Sequence, residues 1–512
     1  MKTAFDNDRY LAEQTASIQE RMARFSGRLY LEFGGKLLND FHASRVLPGY
    51  DPNVKVRLLQ RLGSDAEIVL CIHAGAIEQR KIRADFGITY DADALKLIDD
   101  LGEWGLPVAA VVITRWEDQP QARAFRTKLE HRGVRVYAHA PIKGYPQDPD
   151  LVVSEAGYGA NPRIEVSRPL VVVTGPGPGS GKMATCLSQV YHDHRLGIHS
   201  MYAKFETFPI WNLPLDHPVN VAYEAATLDL KDFNVVDPYH KAATGEVAVN
   251  YNRDVESFLI LEAILDRITG GAGVYRSPTE MGVNRAGFAI LDDGVAREAA
   301  RQEIIRRYLR CTCEYTMGAL GRSALDKVEA LMKAQGIGPE YRPVVPAARQ
   351  AAIDARLDSL SRPDAPGVKG VDSIWCGAAL ELPDGRLVAG KNSRLLHAAT
   401  AAILNATKVL AGVPDSIHLL SPIVMESIAR FKGDVLRRRN ASLDVDEALI
   451  ALSISTALNP MVQACVDCLP VLRGCQMHLT HLPSPGDEAG LRKLGVNLTS
   501  DPIYASRRLF LE

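Results

Sequence analysis

The chain has 512 residues, 46% hydrophobic and 23% charged, which suits a soluble globular protein of two or three domains. Its 59 Lys and Arg nearly balance 61 Asp and Glu, for a net charge of −2. That balance points to neither nucleic acid nor an anionic membrane surface as partner. No apolar run reaches membrane-spanning length, and the N-terminus (MKTAFDNDRYLAEQ) is polar and acidic rather than a secretory leader. Eight cysteines are too sparse for a disulfide framework, so reduced thiols and a cytoplasmic location are expected.

Residues 9–26 carry an amphipathic helical pattern, and RLYLEFGGKL is a strand running into Gly34, Gly35 and Lys36. From residue 66 the pattern alternates. AEIVLCIHA is a strand, DADALKLIDDLGEWG a helix and LPVAAVVIT a strand. PQARAFRTKLEHRG is a helix and VRVYAHAP a strand; PLVVVT, the helix after Lys182 and GIHSMYAKF repeat the unit. Strands alternating with helices of this length predict βαβ units and a parallel sheet. Residues 1–336 are therefore expected to form one doubly wound, mostly parallel α/β sheet of the P-loop or Rossmann kind, with 1–160 and 161–336 as two lobes. The stretch 337–371 is rich in Gly, Pro and Asp and reads as a linker. Residues 372–512 open with a hairpin signal around Pro383-Asp384-Gly385, followed by an Ala-rich helix and two more. A second, smaller α/β or α+β domain is expected there.

Residues 171–183 (VVVTGPGPGSGKM) speak most directly to chemistry. A buried strand delivers the chain to Gly175, Gly177, Gly179, Ser180, Gly181 and Lys182, at the opening of a helix. Glycines let the backbone approach a ligand, and amides at a helix N-terminus cradle an anion. Lys182 adds a point charge. The match to the phosphate-loop pattern G-x-x-x-x-G-K-[ST] is incomplete. Pro176 stands where its first glycine belongs, and Met183 replaces the hydroxyl that would hold Mg²⁺. Pro176 and Pro178 also lack N–H donors. The loop predicts an anion cradle; a tight strand-to-helix turn with a solvated lysine is the plainer alternative.

One strand further on, Lys204 and Glu206 end an apolar strand in YAKFETFP and are candidate catalytic groups; an exposed ion pair is the alternative. In NVVDPYHKAATGEVAVNYNRDVESF, Asp237, Asn250, Asn252, Arg253, Asp254 and Glu256 crowd together. On a strand, Asn250, Asn252, Asp254 and Glu256 would share a face. Asp237, Asp254 and Glu256 are thus candidate Mg²⁺ ligands, and Arg253 a clamp for phosphate or carboxylate. A turn network is the competing explanation. YRSPTEMGVNRAG is read as a capped helix start at Ser277.

Cys465, Cys468, Cys475 and His478 give C-x₂-C-x₆-C-x₂-H, a donor set that suits zinc. The central gap is short and the first pair lies in an apolar run, so buried small hydrophobes are expected instead and zinc is not. A hairpin followed by a helix starting at His397 shares its architecture with the opening of zinc nucleoside deaminase sites. Those require His-x-Glu and Pro-Cys-x-x-Cys. Ala399 replaces the Glu and no Pro-Cys-x-x-Cys occurs, so His397 is expected only to start the helix.

Several long segments together resemble the bacterial domain-of-unknown-function family 1846. They are LYLEFGGKLLNDFHASRVLPGY, RPLVVVTGPGPGSGKMATCLSQVYH, YAKFETFPIWNLPLDHPVN, VNYNRDVESF, SPTEMGVN, GAALELPDGRLVAGKNS and HLTHLPSPGDEAGLRKLGVNLTSDP. The resemblance implies a two-part architecture and a soluble bacterial protein, and brings no established reaction. VDPYHKAATGEV resembles a short stretch of the phosphate-loop synthetases, such as CTP synthetase, that activate a substrate with ATP.

Three functions are consistent with these residues. One is an ATP- and Mg²⁺-using synthetase or phosphotransferase, with Lys182 and Lys204 stabilising the transferred charge. Another is a metal-independent enzyme on a phosphorylated metabolite. The third is a non-catalytic nucleotide or metabolite sensor, with the C-terminal domain as an assembly module. In each the partner is a small phosphorylated ligand, in a homo-oligomer.

Overall fold

The computed structural model describes residues 2–83, 87–271, 273–361, 374–437 and 440–506. The chain divides into two compact units, Lys2–Ala300 and the residues from Arg301 onward.

The first unit is built on seven strands: β1 (Leu29–Phe33), β2 (Ala66–His73), β3 (Val108–Thr114), β4 (Val136–His139), β5 (Leu170–Thr174), β6 (Met201–Phe205) and β7 (Gly282–Val283). They lie in the order β7-β6-β1-β5-β2-β3-β4, every pair parallel. Parallel strands are covered on both faces, which is why these segments are near-continuous apolar runs. Alternate residues of β2 serve different cores. Val69 and Cys71 pack with Leu187 and Val190 of the helix Lys182–Arg195, and with Phe258 and Leu261 of the helix Asn252–Thr269. Leu70 and Ile72 pack with Ala94, Ala122 and Phe125 from the helices Tyr90–Glu103 and Pro120–Glu130 on the opposite face. Each fully buried Val, Ile or Leu contributes about 1.5–3 kcal/mol to this double-sided core. The sheet is doubly wound, as the alternation predicted.

The chain leaves β1 past β5 toward β2, and leaves β5 past β1 toward β6. Strand order therefore reverses between β1 and β5. A crevice opens at such a point beyond the carboxyl ends of the strands. The glycine loop leaves the carboxyl end of β5, at that point of reversal.

The strand expected through Asn250–Glu256 is corrected. A short strand Val249–Tyr251 pairs antiparallel with Asn234–Val236, and the helix Asn252–Thr269 starts at once. Asn252 Oδ1 accepts the Phe233 N–H at 2.9 Å, and Asp254 sits in the first turn, where the helix dipole favours a carboxylate. Phe258, Leu261 and Leu265, buried at helical spacing, hold the helix to the sheet.

The second unit has a four-stranded sheet: β8 (Gly377–Glu381), β9 (Leu387–Lys391), β10 (Gln476–Leu479) and β11 (Asn497–Ser500), in the order β9-β8-β10-β11. The β8–β9 hairpin turns at Gly385 with φ 86°, as the Pro-Asp-Gly signal predicted. Within the stretch read as a linker, Val344–Ser361 forms an 18-residue helix. It buries Val345, Ala348, Ala351 and Ala355. Its Ala348 carbonyl comes so near β8 that a Cβ on Gly377 would lie 2.2 Å away. Small residues let the two backbones meet there, and Gly and Pro clusters in sequence hid the helix. The remainder of that stretch, from 362 to 371, lies outside the described residues.

Candidate functional site

The helix Lys182–Arg195 begins at Gly181, whose φ of 86° is left-handed and open to glycine without strain. The glycines of the loop are needed for space as well as conformation. A Cβ on Gly175 would fall 2.5 Å from the Cys71 carbonyl, one on Gly177 2.3 Å from the Tyr90 ring, and one on Gly181 2.8 Å from Thr114. Thr114 Oγ1 donates to the Ser180 carbonyl at 2.8 Å, which ties the loop to the end of β3.

Two hydroxyls in this frame are buried without a partner, Ser180 Oγ and Thr174 Oγ1. An unpaired buried hydroxyl costs about 1–3 kcal/mol, so such groups are kept where something else satisfies them. Lys182 is half-buried at the first helical position. Met183 is partly buried and packs against the core formed by β5 and its neighbours.

Beside the loop stands a charged cluster at the ends of β1 and β6. Glu32 and Lys204 are register partners on these strands. Lys204 Nζ pairs with Glu206 Oε1 at 2.6 Å and with Asp254 Oδ2, and lies 5.4 Å from the centre of the Tyr251 ring. The side chains of Lys204, Glu206 and Asp254 are only 13%, 10% and 13% exposed, so the triad is poorly screened. Glu32 accepts a hydrogen bond from Tyr202 Oη at 2.7 Å.

Burial alone would lower the Lys204 ammonium, but Asp254, Glu206 and Glu32 hold it well above its ordinary value. Burial pushes Glu206 up to about 7; the charge of Lys204 opposes the rise, and Asp254 and Glu32 add to it. Burial and the two neighbouring carboxylates thus favour the protonated form of Glu206, beside a permanent cation. Burial also pushes the Cys71 thiol up to about 12, and both Lys182 and Glu32 act on it electrostatically, as they do on Cys186. β1 lies between β5 and β6, so the loop and the charged cluster leave neighbouring strand ends.

The structure joins Lys204, Glu206 and Asp254 in one cluster, and holds Lys182 with the loop residues Gly175, Gly177, Gly179, Ser180 and Gly181 at the end of β5, one strand removed from β6. It does not gather the proposed magnesium ligands. Asp237 is fully buried as a helix cap, accepting from the N–H groups of Tyr239, His240 and Thr279 and from Thr279 Oγ1. Glu256 is exposed: two residues beyond Asp254 on a helix, it points the other way. Arg253 pairs with Asp232 at 3.1 Å. Among the described residues no three His, Cys, Asp or Glu groups stand together as a metal site. Ser277 caps its helix as expected, accepting from the Glu280 N–H at 3.0 Å.

In the second unit, Cys465 and Cys475 belong to different cores, and His478 bonds Thr499 Oγ1 at 3.0 Å. His397 starts the helix Ala398–Ala411, with its Nδ1 2.7 Å from Asp487.

Sequence reasoning missed Glu32, Thr114 and Tyr90. Glu32 did carry a signal, as the one charged residue in the otherwise apolar strand LYLEF. Thr114 and Tyr90 carried none, since their role depends on contact with glycines far along the chain.

Among the described residues no helix is long and apolar enough to cross a membrane. Two family models match the chain: the N-terminal domain of unknown function DUF1846 over residues 3–336, and its C-terminal counterpart over residues 340–510. A UPF0371 protein of Clostridium botulinum (strain Alaska E43 / Type E3) is 50% identical over 510 residues, covering 100% of this chain and 99% of its own. A UPF0371 protein of Clostridium tetani is 49% identical over 512 residues, with the same coverage. The chain belongs to the DUF1846 family, over both its N-terminal and its C-terminal domains.

Proposed function

We propose that the crevice between β1 and β5 binds the phosphate of a nucleotide or other phosphorylated ligand, and that the protein is an enzyme of the phosphoryl-transfer or ligase class. The observation that carries the binding is the pair of unpartnered buried hydroxyls, Thr174 Oγ1 at the end of β5 and Ser180 Oγ in the loop, where Gly175, Gly177 and Gly181 leave no room for side chains. Phosphate oxygens accept from hydroxyls, from amides and from Lys182 together. The Lys204–Glu206–Asp254 cluster supports catalysis over sensing. A binding protein has no need of a buried carboxyl poised near neutrality, whereas an enzyme uses one to move a proton from an attacking group.

A metal-independent version of this chemistry is favoured by one feature. Lys204 already neutralises Asp254, the one expected magnesium ligand that reaches the cluster. Thermal stability in ATP, GTP or inorganic phosphate, each with and without Mg²⁺, separates the two. Stabilisation by ATP only when Mg²⁺ is present supports the Mg²⁺-nucleotide enzyme. Equal stabilisation by phosphate alone supports the metal-independent one. No stabilisation by any of them overturns the assignment.

A further inference from the structure

On the far side of the glycine loop from Lys204, the strand ends carry positive charge that no carboxylate pairs among the described residues. β2 ends at His73, and β3 ends at Thr114 followed by Arg115. Arg115 is exposed and has φ 51°, a left-handed conformation that a long side chain rarely adopts. Such strain persists where the surroundings impose it, and gathers at ligand sites. Thr114 donates to the Ser180 carbonyl, so Arg115 follows one residue after an anchor of the loop.

His73 lies between β5 and β3, and its Nδ1 accepts the Ala76 N–H at 3.3 Å, which leaves Nε2 as the protonated nitrogen. Burial lowers its basicity, and the charges of Arg115 and then Lys81 lower it further. His73 and Thr114 are register partners, so Arg115 follows at the neighbouring strand end. Lys81 Nζ is 5.5 Å from the centre of the Tyr90 ring, the same ring that packs on Gly177 of the loop. Among the described residues neither Arg115 nor Lys81 has a carboxylate partner.

We propose that Arg115 and Lys81, together with the His73 Nε2–H, bind a second phosphoryl group of the ligand, which is therefore a di- or triphosphate. This rests on the glycine loop holding the first. A guanidinium fork matches two phosphate oxygens, and an anion between two cations relieves their repulsion. The other side of the loop is unsuited to a second anion, because Glu32, Glu206 and Asp254 outnumber Lys204 there.

Isothermal titration of the full chain with pyrophosphate and with inorganic phosphate tests this. Arg115→Gly is the informative variant, because glycine accepts φ 51° and the fold is kept. It should weaken pyrophosphate by about tenfold or more while changing inorganic phosphate by less than about twofold. Lys182→Ala should weaken both. Pyrophosphate binding unchanged in Arg115→Gly but lost in Lys182→Ala overturns the second site and leaves the loop standing. A parent that binds neither anion, or a Lys182→Ala variant that binds both as the parent does, overturns the loop assignment itself.

Discussion

Lys204 and Asp254 pair across the first unit, from the end of β6 to the first turn of the helix Asn252–Thr269, and Glu206 shares the same ammonium. Two carboxylates on one buried lysine leave each dependent on it. Removing the lysine strands both in a poorly hydrated place, whereas surface pairs are worth little when lost. Lys204→Met should therefore cost about 3–5 kcal/mol in urea unfolding. A cost below about 1 kcal/mol would mean that water reaches the triad freely.

Glu206 makes the stability of the fold depend on pH in a definite direction. Its folded pKa, about 7, lies above the ordinary 4.5, so the folded state holds the proton more tightly. The stability it contributes is complete below about pH 4.5 and is lost as pH rises through about 7. Unfolding free energies of the parent and of Glu206→Gln, measured from pH 4 to 8 in steps of about half a unit, isolate this effect. The parent should lose stability relative to the variant across that window. Parallel profiles would contradict the assigned environment.

Ser180 separates a ligand-binding hydroxyl from a merely structural one. Its Oγ is buried and unpartnered, so Ser180→Ala removes an unsatisfied group. Without ligand the variant should be as stable as the parent or more so, by up to about 1 kcal/mol, while its affinity for phosphate falls by about tenfold. A variant destabilised without ligand and unchanged in affinity would make Ser180 a structural residue of the turn.

Much of the first unit was legible because parallel strands buried on both faces are written as apolar runs, such as Ile68–Ile72 and Leu170–Val173. The helix Asn252–Thr269 was not. Its polar first turn, Asn252 to Glu256, imitates strand alternation, and the helical period shows only from Phe258 onward. That error spread to the site, since strand geometry placed Glu256 beside Asp254 and the helix sets them apart. Lys182, Lys204 and Glu206 could be found because each stands next to a recognisable strand end. Asp237 could not be judged alone. Whether an aspartate before a proline is a cap or a ligand depends on what fills its oxygens, and here Thr279, distant in sequence, fills one of them. Val344–Ser361 was hidden by the Gly and Pro clusters around it and by a buried face that is mostly alanine, which carries little apolar contrast.

The central claim is that the glycine loop is a phosphate cradle closed by Lys182. The direct measurement is the shift in thermal midpoint that inorganic phosphate and Mg²⁺-ATP produce in the parent and in Lys182→Ala, each first shown to fold by circular dichroism. The parent should rise by several degrees in at least one of these ligands, and Lys182→Ala should show no rise at the same concentration. A Lys182→Ala variant stabilised as much as the parent would place the ligand elsewhere and contradict the account.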